Sequence, residues 1–162
     1  MKKKFIFCSI IVFIFILVGC TNNKEKQAIK VNETEKETYL NYVKKLKKVT
    51  ESSEDLPFTV ETIYDKLDNE IRYQVIIDNP KEDITNISAL VVHNKQTDDV
   101  FPSIGIFDKK VNLIKDEKPS GVILVGYIPY DKEIENFECE IKVIIKYKIN
   151  DNNYTSYYVT KK

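Results

Sequence analysis

The 162-residue chain predicts a mainly β protein, an antiparallel β-sandwich preceded by one amphipathic helix. Three observations lead there. From about residue 57 the apolar side chains recur at every second position, the period of a strand with one buried face. Clusters of Asp, Asn, Pro and Gly cut that pattern into segments at intervals of about ten residues, the rhythm of a sandwich. Beyond residue 56 no segment of useful length carries the helix period, whereas residues 35–51 do.

The N-terminal segment is set aside before the fold is read. Met1-Lys2-Lys3-Lys4 is positive, and Phe5 to Val18 is uncharged and almost entirely Phe, Ile, Leu and Val. Those 14 residues would span roughly 21 Å as a helix, against a hydrocarbon core of roughly 30 Å. A cleaved signal peptide over 1–19 fits that length better than a permanent span; an uncleaved signal anchor is the competing reading. Leu17-Val18-Gly19-Cys20 resembles the lipobox of bacterial membrane lipoproteins, with a branched apolar residue three before the cysteine and a small one just before it. The resemblance implies cleavage between Gly19 and Cys20 and transfer of a diacylglyceryl group to the Cys20 thiol. It also implies a chain held on the extracytoplasmic face of the cell membrane, because two acyl chains anchor stably where one does not.

Charge and cysteine usage narrow the partners. The chain has 25 basic and 25 acidic residues. Loss of Lys2, Lys3 and Lys4 with the signal peptide would leave 22 basic residues against 25 acidic, a net charge of −3. That is no footprint for nucleic acid and favours the lipid itself as the membrane contact. Of three cysteines, Cys8 would leave and Cys20 would be acylated, so Cys139 has no partner for an intramolecular disulfide. The exported domain must then rest on its apolar core.

Residues 20–33 form the expected lipidated cysteine and flexible tether, polar and aperiodic, with a mean span of roughly 20 Å. The amphipathic helix is expected over 34–52. Thr34 and Glu37 have capping-box spacing, and Tyr39, Tyr42, Val43, Leu46 and Val49 share one face while Lys44, Lys45, Lys47 and Lys48 lie mostly on the other. Such a helix suits lipid headgroups, packing on the following domain, or a solvated stalk. Ser52-Ser53-Glu54-Asp55 and Pro57 end it.

The sandwich is expected over 56–162. Candidate strands are Phe58–Tyr64, Ile71–Asp78, Ile84–His93, Ser103–Phe107, Val111–Ile114, Gly121–Ile128, Phe137–Ile149 and Tyr154–Thr160. In the longest, Phe137, Cys139, Ile141, Val143, Ile145, Tyr147 and Ile149 alternate with Glu138, Glu140, Lys142, Ile144, Lys146 and Lys148, which predicts a buried face and a solvated one. Asn150-Asp151-Asn152-Asn153 tolerates positive φ and suits a hairpin. The architecture is immunoglobulin-like only in layout, since there is no tryptophan and no cysteine pair. Ile77-Asp78-Asn79-Pro80, Ile106-Phe107-Asp108-Lys109-Lys110 and Lys118-Pro119-Ser120-Gly121 resemble the small FxLYD-type sandwich domains of lipoproteins from low-GC Gram-positive bacteria, although Ile104 and Phe107 do not match the family's aromatic pair. The family implies a fold and a setting, and no general biochemical activity.

Catalysis needs titratable or nucleophilic groups held close together. The sequence offers one histidine, His93, and one free thiol, Cys139, which sits on the apolar face of its strand. Each suits a structural role; a zinc site would need carboxylates for its remaining ligands. Asp65, Asp68 and Glu70, and separately Asp98 and Asp99, suit polar turns or a calcium loop, though neither spacing fits an EF-hand. Four glycines form no phosphate loop. Asn86-Ile87-Ser88 and Asn153-Tyr154-Thr155 match glycosylation sequons by chance. No cofactor and no enzyme activity is expected. Tyr127, Tyr130, Tyr154, Tyr157 and Tyr158 either fill the core or build a binding surface. The expectation is a surface lipoprotein serving as a protein-interaction module for an envelope protein. The alternative is a small-ligand or metal-binding accessory.

Overall fold

A computed structural model of the chain describes residues 32–118 and 121–162. The expected signal peptide, Gly19, Cys20 and the tether as far as residue 31 lie outside them, as do Pro119 and Ser120 of the expected turn. One helix, α1 (Glu33–Leu46), precedes the strands β1 (Thr59–Lys66), β2 (Glu70–Asp78), β3 (Ile84–His93), β4 (Ser103–Ile104), β5 (Val111–Leu113), β6 (Val122–Pro129), β7 (Glu140–Ile149) and β8 (Asn152–Lys161). A 3-10 turn, Ile134–Asn136, links β6 to β7. Among the described residues no helix is long and apolar enough to cross a membrane.

The helix starts earlier and stops sooner than its periodicity suggests. Its cap is Asn32, whose Oδ1 accepts from the Thr34 N–H at 3.2 Å while Glu35 Oε2 accepts from the Asn32 N–H at 3.2 Å. Asn32 and Glu35 have the same spacing as Thr34 and Glu37, and Asn is the stronger cap. The cap and first helical residue therefore take up positions 32 and 33, the last two of the range expected for the tether. At the far end the helix closes at Leu46 rather than 52. Val49 and Thr50 are weak helix formers, and tertiary bonds claim the following backbone. The Val49 carbonyl accepts from Lys142 Nζ at 2.6 Å, and the Ser53 N–H donates to the Tyr157 carbonyl at 2.8 Å.

The strands make two antiparallel sheets, one ordered β1-β2-β6 and one ordered β4-β3-β7-β8, with β5 also paired to β3. Their inner faces meet in one apolar core. Ile71, Tyr73, Val75, Ile77, Val122, Leu124 and Ile128 come from the first sheet; Ile84, Ile87, Ala89, Val91, Ile141, Val143, Ile145 and Tyr147 come from the second. This is the predicted antiparallel sandwich with one preceding helix. A bulge in β3 interrupts strict alternation: its register slips between Ile84 and Ile87, with Asn86 at φ 55° and its N–H donating to Asn112 Oδ1 at 2.9 Å. The extra residue lets Ile84 and Ile87 both face the core although they are three apart. The loop after β4 depends on Gly105, at φ +68°, where a Cβ would lie 2.5 Å from the Ile87 carbonyl oxygen.

The outer face of β7 is not solvated, as alternation implied; α1 lies on it. Tyr42 and Leu46 bury against Leu90, Val92, Ile106 and Ile144, flanked by Tyr39, Val43, Phe101, Phe107 and Tyr157. Of the settings open to this helix, packing on the domain is the one observed. The run Ala89-Leu90-Val91-Val92 follows from it, since a strand covered on both faces needs apolar residues at consecutive positions. The β7 lysines rim the contact. Lys146 Nζ sits 4.7 Å from the centre of the Tyr42 ring, and Lys45 of the helix sits 5.3 Å from that of Tyr157. Their alkyl stems cover apolar surface while the ammonium groups lie over aromatic faces.

Candidate interaction surface

The residues singled out for chemistry do not converge. His93 is buried, edge-on to Tyr73 and Phe101 at 5.6 and 5.1 Å between ring centres. Its Nδ1 accepts from the Lys95 N–H at 3.2 Å, which puts the proton of the neutral ring on Nε2. Burial lowers its pKa below the ordinary 6.5. Cys139 is buried in the main core, and burial pushes its thiol up to about 11, the reverse of an activated nucleophile. Asp65 Oδ2 is bound by Arg72 at 2.9 Å and by Gln74 at 3.1 Å. Among the described residues no three His, Cys, Asp or Glu side chains come together as a metal would need.

The His93 environment predicts a pH dependence. Above 6.5 the ring is neutral in both folded and unfolded chains. Below it the unfolded chain takes up a proton that the folded chain resists, so stability falls as pH drops from 7 towards 5. The Glu140 carboxyl, held below its ordinary 4.5 by its bond to Lys142, acts only at lower pH. In His93→Phe the slope between pH 7.5 and 5.5 should flatten. Denaturation midpoints at both pH values, in both proteins, measure this; parallel slopes would refute it.

The five tyrosines form no single patch. Tyr157 packs under α1, and Tyr158 and Tyr130 pack against the main core. Tyr154 is exposed and stacks on Tyr147 at 5.6 Å. Tyr127 belongs to a different surface, the outer face of the three-stranded sheet. There Ile123 is 55% exposed, Tyr127 42%, Ile63 42% and Val125 40%. Ile123, Val125 and Tyr127 follow one another along the outer side of β6, with Ile76 level with Ile123; Gln74 lies between Val125 and Ile63, and Arg72 lies level with Tyr127. The equivalent face of the other sheet is buried under α1; this one has no such cover among the described residues. Sequence alternation contained the signal, because Val122-Ile123-Leu124-Val125 and Tyr127-Ile128 are apolar at outward as well as inward positions.

A concavity of about 520 Å³ lies where β3 ends and β7 begins, lined by Lys47, His93, Lys95, Phe101, Glu140 and Lys142 among others. Its lining carries three lysines against one carboxylate. Glu140 pairs with Lys142 at 3.1 Å and with Lys161 at 3.4 Å.

These elements define an antiparallel β-sandwich with a helix on one outer face and an exposed apolar strip along β6 on the other. The chain matches no family model, no curated protein and no solved structure.

Proposed function

We propose that this chain is a bacterial surface lipoprotein, lipidated on Cys20 and exposed on the extracytoplasmic face of the cell membrane, whose sandwich is a non-enzymatic module binding an envelope protein. The observation that carries the interaction reading is the exposed apolar face around Ile123, Val125 and Tyr127. Scattered single apolar residues on a surface mean little, but a contiguous patch on a sheet whose opposite number is covered marks a contact site. The settings of the two residues best suited to chemistry support the non-enzymatic part: burial lowers the pKa of His93 and raises that of the Cys139 thiol. The lipobox carries the anchor, and the sandwich fits the domain type that the FxLYD resemblance implies. The small-ligand alternative draws on the cleft lined by Lys47, Lys95 and Lys142, where Glu140 already pairs with Lys142.

The test follows the protein in a bacterial host supplied with a radiolabelled fatty acid. The wild type should carry label, lose residues 1–19 and, after extraction in detergent, retain an envelope protein at this face. Cys20→Ser should accumulate as unlabelled precursor. Normal processing of that variant would overturn the anchor. Recovery of nothing beyond what an Ile123→Lys variant retains would overturn the interaction.

A further inference from the structure

The free edge of β6 singles out one kind of partner. Among the described residues the two sheets end on four edges, and three are blunted. β1 carries Glu61, Asp65 and Lys66. β8 is covered by Ser52 and Ser53, which exchange hydrogen bonds with Tyr157 and Val159. The far side of β3 takes only the short β4 and β5. β6 is eight residues long, bears no charge, and is bonded on one side only. Long apolar edges of this kind are what soluble folds normally avoid.

The ladder shows which groups that edge offers. The Tyr130 N–H donates to the Asn69 carbonyl at 2.9 Å, one step beyond the Pro129–Glu70 pair. Antiparallel partners alternate between bonded and non-bonded pairs. The bonds to β2 therefore come from Ile128, Gly126, Leu124 and Val122. The N–H and C=O groups of Ile123, Val125 and Tyr127 point to the open side, and Pro129 next along has no N–H to leave unpaired. The same three residues supply the exposed apolar side chains.

We infer that the partner of this edge is a second copy of this chain, joined β6 to β6 antiparallel about a two-fold axis at Val125. The inference rests on the interaction reading above and goes beyond it: the edge pairs with a second copy, and the merged apolar face stays open to the envelope protein. In that register Val125 faces its own counterpart and Ile123 faces Tyr127 of the other copy. Both are bonded pairs, so every open N–H and C=O of the three residues is used. An aromatic side chain opposite a β-branched one is a favourable cross-strand pair. Self-pairing brings each residue near its own image, so a charged strand would repel itself; β6 is the edge whose sequence avoids this. The joined sheets run β1-β2-β6-β6-β2-β1 and merge the two apolar faces into one. Attachment of both copies to one membrane would raise their effective concentration.

The test uses the full-length protein in detergent micelles and in membranes. Bonded antiparallel pairs hold their Cα atoms about 5.5 Å apart, within disulfide reach. Val125→Cys should therefore give a disulfide-linked homodimer on oxidation with diamide, and Ile63→Cys, far from the axis, should not. Val125→Lys sets two ammonium groups face to face and should convert a sedimenting dimer to a monomer with an unchanged circular dichroism spectrum. The inference is overturned if wild type and Val125→Lys sediment alike, or if both cysteine variants cross-link equally. A Val125→Cys disulfide made only to a different polypeptide also overturns it, while leaving the interaction reading in place.

Discussion

Leu46→Ala is expected to release α1 from the sheet, at a cost of about 3 kcal/mol. Leu46 is fully buried; Tyr42, at 9% exposure, is the other buried residue of the helix. The Leu46 side chain fills the space between Leu90, Val92 and Ile144, and the truncation leaves a cavity as well as losing contacts. A helix of 14 residues is marginal in water, so little holds it once the anchor is gone. The loss should therefore be local. Amide exchange throughout α1 should accelerate by two orders of magnitude or more, since each 1.4 kcal/mol is about tenfold, whereas β2 and β7 retain most of their protection. The global denaturation midpoint should move less than the exchange in α1 does. The exchange measurement decides: α1 amides as protected as in the wild type would show that Tyr42, Lys146 and the capped start hold the helix without Leu46.

That prediction depends on the part of the fold least visible in the sequence. The sheets were legible because strands here are bounded by residues with specific backbone roles, such as Asn79 and Asn150 at positive φ, and because β2 and β7 alternate cleanly. Packing of the helix on the domain was one of the settings the sequence left open, but the face it packs on was not legible. Lys142 and Lys146 at alternate positions of β7 signal a solvated face, yet Ile144 between them is fully buried and both lysines serve the contact, one holding the Val49 carbonyl and one lying over Tyr42. Long cations have apolar stems, and a pattern of residue types does not separate stem from head. The β3 bulge escaped for a related reason: two core residues three apart look like a broken strand until the extra residue is placed. At the surface, the alternation of β6 showed an apolar strand on both faces. Only the sheet order showed that no neighbour lies on its far side.

Gly126→Val should cost about 3 kcal/mol or more, against the direction of local preference. Valine suits a strand better than glycine, by up to about 1 kcal/mol, so a reading of β6 alone predicts a gain. The structure reverses the sign. Gly126 is the inward-facing residue level with Tyr73, and the Tyr73 side chain lies across it. A Cβ at Gly126 would sit 2.2 Å from the Tyr73 hydroxyl oxygen and 2.3 Å from Cζ. Tyr73 has nowhere to move, being 1% exposed, edge-on to His93 and set in the centre of the core. Overpacking of this kind costs about 1–3 kcal/mol and sometimes more, and here the clash involves a rigid ring. Pairing the substitution with Tyr73→Leu should recover part of the loss, because the shortened side chain vacates the space the new methyl groups need. Chemical denaturation of the two single variants and the double gives the coupling. Simple additivity would mean that the ring and the glycine are independent, and the close approach across β2 and β6 would then not explain why this strand keeps a glycine at its centre.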